Sequence, residues 1–150
     1  MSTTLKICSF NMRCRTPHDG ENMFDNRTGR ISDFINETSP DIIGFQEVTD
    51  FMRDWLKANL KDYTVLGCGR NKDYSGEATA IAYKTADFDL IAYDTFWLSL
   101  TPSVPGSFYG FDQSTCPRLA TVAKLKKVGD ASDPFYFYNT HLDHKGEQAR

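Results

Sequence analysis

Apolar and polar positions follow two different patterns along the chain, and the change falls near Glu77. Before Glu77, short apolar runs alternate with stretches in which apolar residues recur at helical spacing. After Glu77, apolar runs follow one another with only polar loops between them. The pattern predicts helices and strands in alternation and then consecutive strands, which is an α+β arrangement.

The helix–strand region has clear helix signals. Ile31, Phe34 and Ile35 form one apolar stripe of a first helix. Asn26 would cap that helix, and Pro40 would end it. A second helix is predicted from residue 50, and strands are predicted at residues 5–12, 41–48 and 63–66.

The run at residues 41–48 is apolar without alternation until it reaches a Gln-Glu pair. Such a run predicts a strand that is covered on both faces. Further strands are predicted at residues 77–83, 89–98, 119–125 and 135–140. The loop at residues 101–117 is rich in Gly, Pro and Ser, and loops longer than about 12–15 residues in a compact domain are usually functional.

Composition narrows the class of protein. The 150 residues suffice for one domain, and no repeat or linker divides residues 1–150. A net charge of −3 argues against capture of nucleic acid by a broad basic face, although a local cleft can still be basic. No stretch approaches the roughly 18 apolar residues of a membrane span, and no secretory signal pattern is seen. The four cysteines form no C-x-x-C pair and have no spacing typical of a zinc site. The chain is therefore interpreted as a cytoplasmic protein with reduced thiols.

Polar side chains stand at the ends of predicted strands or beside loops. Each alone has an ordinary structural explanation, such as a solvated strand end. Together they indicate one shared cleft, because separate strands can deliver their last residues to the same edge of a sheet. The residues are Asn11, Glu47, Glu77, Arg118 and His141.

These residue types suit phosphate chemistry. Glu47 and Asn11 carry hard oxygen donors, which suit Mg²⁺, an ion that needs only one or two protein carboxylates. Arg118 could hold a phosphate through its planar guanidinium. His141 could donate a hydrogen bond to a phosphoryl oxygen, and a nearby carboxylate would favour its protonated form.

Five motifs, in this order, resemble the endonuclease/exonuclease/phosphatase superfamily with the deoxyribonuclease I-like fold. Residues 95–99 and 105–107 are similar to a bacterial branch of that superfamily. The motifs are Ser9-Phe10-Asn11, Phe45-Gln46-Glu47-Val48, Gly76-Glu77 leading into Ile81-Ala82-Tyr83, Pro117-Arg118-Leu119-Ala120-Thr121 and Asn139-Thr140-His141-Leu142-Asp143.

The resemblance implies a four-layer α/β/β/α sandwich, of which this chain would be the N-terminal half, and metal-dependent hydrolysis of phosphate esters. It implies that Glu47 ligates Mg²⁺, or Mn²⁺ in its place, with Asn11 orienting metal or phosphate. Glu77 would pair with the catalytic His141. Arg118 would bind the substrate phosphate.

The segment after His141 differs between branches of the superfamily. By resemblance Asp143 would also bind substrate, and in the simplest interpretation Asp143 and His144 are exposed loop residues. The substrate class stays open among nucleic acid, sugar phosphate, inositol phosphate and phospholipid head groups. The acidic composition favours a small phosphorylated molecule.

The later motifs of the family, a Gly-Asp-Phe-Asn segment and a closing Ser-Asp-His, have no counterpart in this sequence. Residues 146–150 look like the first turn of a helix cut short. We therefore expect a domain truncated at its C-terminus and almost inactive alone, with an exposed sheet that would favour self-association. The alternatives are a half-domain that acts as a non-catalytic binding or assembly module, and an unrelated small α/β binding protein.

Overall fold

A computed structural model describes residues 4–150 of the chain. It is a mixed α+β structure with two β-sheets. Its helices and strands are β1 Ile7–Asn11, α1 Phe24–Thr38, β2 Ile42–Gln46, α2 Asp50–Asn59, β3 Tyr63–Leu66, β4 Ile81–Lys84, β5 Phe88–Trp97, β6 Leu119–Lys127 and β7 Phe135–Thr140, and a 3-10 segment spans Pro17–Asn22.

The first sheet has the strand order β1-β2-β4-β3, and the second has the order β5-β6-β7. Strands β1 and β2 are parallel, with Asn11 opposite Gln46, whereas the other pairs are antiparallel. Parallel neighbours end at the same edge of a sheet. Asn11 and Glu47, the residue after β2, therefore lie side by side.

Two apolar clusters separate three layers. Helices α1 and α2 cover one face of the first sheet, where Ile35 and Leu56 pack with Phe45. The opposite face of that sheet packs on the second sheet, where Ile42 meets Leu125. Strand β2 is buried along its whole length, which confirms the predicted cover on both faces.

One polar side chain fastens the two sheets together. Asn139 of β7 donates to the carbonyl oxygens of Phe45 and Ala80, both at 2.8 Å, and accepts from Nε2 of Gln46 at 2.8 Å. Gly44 makes this approach possible, because a Cβ atom there would lie 2.8 Å from Oδ1 of Asn139. The strand ends that carry Glu47 and His141 are thereby held at a fixed separation.

The outer face of the second sheet is open. Tyr136 and Tyr138 of β7 are 57% and 60% exposed, and Tyr93 of β5 is similarly exposed. Residues 4–150 thus contain three layers of the expected four-layer sandwich: helices, first sheet and second sheet. Within the same range, neither helix is long and apolar enough to cross a membrane.

The predicted cap of the first helix is wrong. Helix α1 begins at Phe24, and Met23 occupies the cap position without a side-chain hydrogen bond. Asn26 lies inside the first turn, where its Nδ2 donates to the carbonyl oxygen of Glu21 at 3.3 Å. The chain enters α1 directly from the preceding 3-10 segment, so the first turn is already formed when Asn26 is reached.

The exposure of one apolar residue and the start of one strand also differ from the sequence pattern. Phe34 is 40% exposed and packs edge-on against Phe10 at 5.3 Å, at the margin of the helix–sheet interface. The strand expected from residue 77 begins at Ile81, because Ala78 makes only isolated bridges to Val48 and Gly69. The long loop at residues 101–117 is confirmed, with neither helix nor strand in it.

Candidate active site

Side chains from both sheets and from two loops line one narrow pocket. A larger cleft, of about 870 Å³, lies along β5 beside Tyr93 and Trp97. The narrow pocket is the better candidate because most of the ionisable residues predicted from the sequence meet there. They are Glu47, Glu77, Arg118 and His141, and they are joined by Arg70.

Glu47 has a strained backbone, and hydrogen bonds fix both of its carboxylate oxygens. Its φ of +60° lies in the left-handed region, which costs a non-glycine residue about 1–3 kcal/mol. Its Oε1 accepts from Nδ2 of Asn11 at 2.9 Å, and its Oε2 accepts from the backbone N–H of Cys14 at 3.0 Å. The surrounding hydrogen bonds stabilise a backbone conformation that the residue would not choose alone.

The charge state of Glu47 follows from the same contacts. Burial raises the pKa of its carboxyl group, but the hydrogen bonds from Asn11 and Cys14 outweigh burial and lower the pKa below its usual range. Glu47 is therefore ionised at neutral pH. Each carboxylate oxygen keeps a lone pair that no hydrogen bond from residues 4–150 uses, so the group can also accept a cation.

The donor set fits a hard divalent ion that keeps most of its waters. Among the described residues, no group of three or more His, Cys, Asp or Glu side chains is arranged to hold a metal. Zn²⁺ usually needs such a set, whereas Mg²⁺ is commonly bound through one or two carboxylates plus substrate phosphate. Glu47 supplies one such carboxylate.

Asn11 connects the carboxylate of Glu47 to the loop after β1. Its Nδ2 is used by Glu47, and its Oδ1 accepts from the backbone N–H of Arg13 at 2.8 Å. Arg13 itself has a φ of +54°. Asn11 is thus a positioning residue for Glu47, and direct metal ligation by its Oδ1 stays a prediction.

Glu77 pairs with an arginine that the sequence analysis did not select. Its Oε2 lies 2.9 Å from Nη1 of Arg70. The expected hydrogen bond between Glu77 and His141 is not formed in the described chain, because the carboxylate is directed to Arg70. The only sequence signal for Arg70 was the basic character of the loop at residues 67–76.

His141 extends from the end of β7 and makes no hydrogen bond to residues 4–150. Burial and the nearby Arg118 lower the pKa of its imidazole, and Arg70 lowers it further. Glu47 and Glu77 raise this pKa, as predicted for neighbouring carboxylates, but burial and the arginines outweigh them. The predicted effect of the carboxylates is therefore present but is smaller than the opposing effects, and His141 is neutral at neutral pH.

Arg118 is 4% exposed, and two residues on the side away from the pocket orient its guanidinium. Its Nε donates to Oδ2 of Asp143 at 3.2 Å, and its Nη2 lies 2.9 Å from Nδ1 of His144. Nη1 makes no hydrogen bond to any described residue and is not among the buried polar atoms that lack a partner. The free edge of the guanidinium is therefore available in the pocket.

Asp143 is buried and organises the loop around Arg118. It accepts from the backbone N–H of Gly146 at 2.7 Å, from that of Lys145 at 2.9 Å and from the hydroxyl of Ser114. Burial alone raises the pKa of Asp143, but these donors lower it far below its usual range. The structure thus places Asp143 behind Arg118, where it positions that residue, and not at the pocket surface.

Comparison with known proteins identifies the family of this chain. The sequence model of the endonuclease/exonuclease/phosphatase family matches residues 8–140. The chain belongs to the endonuclease/exonuclease/phosphatase family. No curated protein matches the sequence significantly.

Solved structures of the family superpose closely. The endonuclease/exonuclease/phosphatase from Bacteroides vulgatus is 34% identical with a TM-score of 0.92, over 99% of this chain and 56% of that chain. The mannosyl-6-phosphatase of Bacteroides thetaiotaomicron is 32% identical with a TM-score of 0.88, over 97% of this chain and 54% of that chain. This chain therefore spans about half the length of these relatives.

A more distant solved structure shares the fold alone. TDP2 of D. rerio, complexed with a single-strand DNA product, is 17% identical with a TM-score of 0.70. That match covers 96% of this chain and 48% of that chain. The fold is thus shared by a mannosyl-6-phosphatase and by a protein complexed with a DNA product, so the fold alone does not select a substrate.

Proposed function

We propose that the protein is a metal-dependent phosphoesterase that hydrolyses phosphate ester bonds with Mg²⁺, or Mn²⁺ in its place. The observation that carries the proposal is Glu47. It is ionised, strained in its backbone, held at both carboxylate oxygens and placed in one pocket with Arg118 and His141. Strain of this kind is maintained where the geometry of a site matters.

Each residue has a role that follows from its contacts. Glu47 would hold the metal ion, which when bound polarises a phosphoryl oxygen. Arg118, fixed by Asp143, presents Nη1 to the negative charge of the phosphate. His141 is neutral and half-buried, so it can donate one N–H to a phosphoryl oxygen and accept a proton on the other nitrogen.

The proposed substrate is a phosphorylated small molecule, and nucleic acid is the alternative. The net charge of −3 supports the small molecule, because broad capture of nucleic acid needs a basic face. The mannosyl-6-phosphatase relative, at 32% identity, supports the same choice. We propose a cytoplasmic location on the sequence features given above.

The open face of the second sheet supports a second candidate, a non-catalytic assembly module. Tyr136 and Tyr138 lie side by side on that face, with ring centroids 6.2 Å apart. An exposed sheet of this kind invites self-association. Light scattering after size-exclusion chromatography would show a concentration-dependent dimer under this candidate, and the variant Tyr138→Glu would be monomeric.

A panel of phosphomonoesters and phosphodiesters, with and without Mg²⁺, tests the proposed reaction. We expect the 150-residue chain alone to turn over very slowly, since the later family motifs are not in it. A longer form, if the reading frame encodes one, should show Mg²⁺-dependent hydrolysis that Glu47→Gln abolishes. Hydrolysis that is independent of Mg²⁺ and of Glu47 in either form would contradict the proposal.

A further inference from the structure

Arg70 is the residue of the pocket that the proposed mechanism has not used. Its side chain is half-buried beside Glu77, with Nη1 and Oε2 2.9 Å apart, and its Nη2 donates to Sγ of Cys116 at 3.3 Å. It lines the same pocket as Glu47, Arg118 and His141. A second guanidinium in a phosphate pocket calls for an explanation, because like charges repel unless an anion joins them.

The backbone of Arg70 is fixed before any ligand arrives. Its carbonyl oxygen accepts from Nε1 of the buried Trp97 at 2.7 Å, and its N–H donates to the carbonyl oxygen of Glu77 at 3.1 Å. The loop is closed by a hydrogen bond from Gly69 to Tyr74 and one from Asn71 to Ser75. Side chains on such a braced loop lose little freedom on binding.

Arg70 also has donors to spare. The contact with Glu77 is an ion pair, and neither Nε nor Nη1 of Arg70 makes a hydrogen bond to any residue from 4 to 150. Neither atom is among the buried polar atoms without a partner. These N–H groups therefore reach solvent, as does Nη1 of Arg118.

A terminal phosphate has three non-bridging oxygens, whereas the phosphate of a diester has two. A terminal phosphate also carries about −1.5 to −2 charges near pH 7. A cation on Glu47 and the guanidinium of Arg118 can contact two of the oxygens. Arg70 can contact the third, which a diester replaces with an alkoxy group that accepts weakly and carries no charge.

We propose that Arg70 is a second phosphate ligand beside Arg118, and that it makes the site select a terminal phosphate over the internal phosphate of a diester. This inference rests on the proposed phosphoesterase function and specifies its substrate class as phosphomonoesters. Glu77 then positions Arg70 for the phosphate. Toward His141, Glu77 acts through its charge alone, which raises the pKa of the imidazole without a hydrogen bond.

Anion binding tests the inference without catalysis. Isothermal titration calorimetry at pH 8 and fixed Mg²⁺ would compare inorganic phosphate with dimethyl phosphate on the same chain. In Arg70→Gln we expect inorganic phosphate to bind about tenfold more weakly or worse, from the loss of a charge-assisted hydrogen bond. Dimethyl phosphate should change by less than about threefold. Arg30→Gln, an exposed arginine on α1, is the matched control and should change neither.

A double variant separates contact from repulsion. Removing Arg70 alone leaves the carboxylate of Glu77 without its partner, and that charge could repel phosphate by itself. In Arg70→Gln/Glu77→Gln the repulsion is gone, so a persisting loss of phosphate binding assigns the effect to the missing guanidinium. Recovery of wild-type binding in the double variant would overturn the inference, as would an equal loss for both ligands.

Melting temperatures show whether the Arg70 variants keep the fold, and Arg70→Lys tests the part played by the charge. The bond from Trp97 uses the backbone carbonyl of Arg70, so it survives side-chain changes. Arg70→Lys keeps the charge without the planar fork, and we expect it to recover part of the phosphate binding. If Arg70→Lys has an unchanged melting temperature but binds phosphate as weakly as Arg70→Gln, the positive charge at residue 70 is not what strengthens phosphate binding.

Hydrolysis assays then separate the two proposals. If the wild type shows Mg²⁺-dependent hydrolysis and Arg70→Gln leaves the monoester-to-diester ratio of kcat/KM unchanged, the inference fails and the phosphoesterase stands. If phosphate binding depends on Arg70 but no ester is hydrolysed in any form, the proposed function fails while the phosphate site stands. A ratio that falls about tenfold in Arg70→Gln supports both.

Discussion

The two sheets of this protein differ in how they are enclosed. In the first sheet, β2 is buried from end to end and Phe45 is 0% exposed, because helices cover one face and the second sheet covers the other. In the second sheet, inward and outward residues alternate along β7, and the outward tyrosines are open to solvent. The first sheet is therefore covered on both faces, whereas the second sheet is covered on its inner face only.

The same difference extends to the residues that the two sheets bring to the site. Glu47, from the first sheet, is fixed by hydrogen bonds to both oxygens and by a left-handed backbone. His141, from the second sheet, makes no hydrogen bond within residues 4–150. The Glu47 side of the site is therefore preorganised by contacts within residues 4–150, whereas no hydrogen bond from that range fixes the side chain of His141.

The largest difference should appear in core substitutions. Phe45→Ala removes a fully buried ring and should lower the free energy of unfolding by about 3–5 kcal/mol. Tyr138→Ala, on the open face, should cost less than about 1 kcal/mol. Urea unfolding monitored by circular dichroism measures both, and comparable losses would show that the second sheet is covered in solution.

Asp143 should be the most sensitive position near the end of the second sheet. Asp143→Ala removes a buried carboxylate that pairs with Arg118, which should cost about 3 kcal/mol. Because the folded-state pKa of Asp143 is lowered, its contribution is complete above the unfolded pKa of about 4 and is lost as pH falls further. The variant should therefore show a weaker loss of stability below pH 4 than the wild type does.

Asp33→Ala, on the exposed side of α1, is the matched control for that change. We expect it to alter the free energy of unfolding by less than about 0.5 kcal/mol. A loss in Asp143→Ala as small as this would show that the loop around Arg118 does not depend on the carboxylate.

Two glycines test the junction between the sheets. Gly44→Ala would drive a Cβ atom to 2.8 Å from Oδ1 of Asn139 and should destabilise the fold by about 1–3 kcal/mol. Gly29→Ala, where the new Cβ meets nothing within 4 Å in helix α1, should stabilise it by up to about 1 kcal/mol. Thermal unfolding of the two variants should shift in opposite directions, and a neutral Gly44→Ala would mean that the sheets can move apart.

The smallest effect concerns His141. Its lowered pKa predicts a titration midpoint below the usual 6.5, measurable by NMR and assigned with His141→Gln. The unfolded chain takes up this proton more readily than the folded one, so stability should fall slightly as pH drops below about 6.5. Glu77→Gln removes a charge that raises the pKa and should lower the midpoint further. A midpoint above 6.5 would contradict the account of this pocket.

Much of this structure was accessible from the sequence. The continuous apolar run before Glu47 predicted a doubly covered strand, and the polar residues at strand ends predicted that Glu47, Arg118 and His141 would meet. Both inferences depend on local pattern and on the geometry of sheet edges, which the sequence encodes directly.

Other features depend on contacts that no local pattern encodes. Arg70 enters the pocket because Trp97, 27 residues away, holds its backbone carbonyl, and Glu77 pairs with it in preference to His141. The net lowering of the His141 pKa depends on burial, which only the packed structure reveals. The cap of α1 was missed because a 3-10 segment, and not Asn26, leads the chain into the helix.

Mg²⁺ binding is the most direct test of the claim that the first sheet preorganises a metal site. Isothermal titration calorimetry would compare the wild type with Glu47→Gln, which keeps the side-chain size, and with Glu37→Gln, an exposed change on α1. We predict at least about tenfold weaker Mg²⁺ binding in Glu47→Gln, an unchanged melting temperature and no effect of Glu37→Gln. Equal Mg²⁺ affinity in the wild type and Glu47→Gln would contradict it.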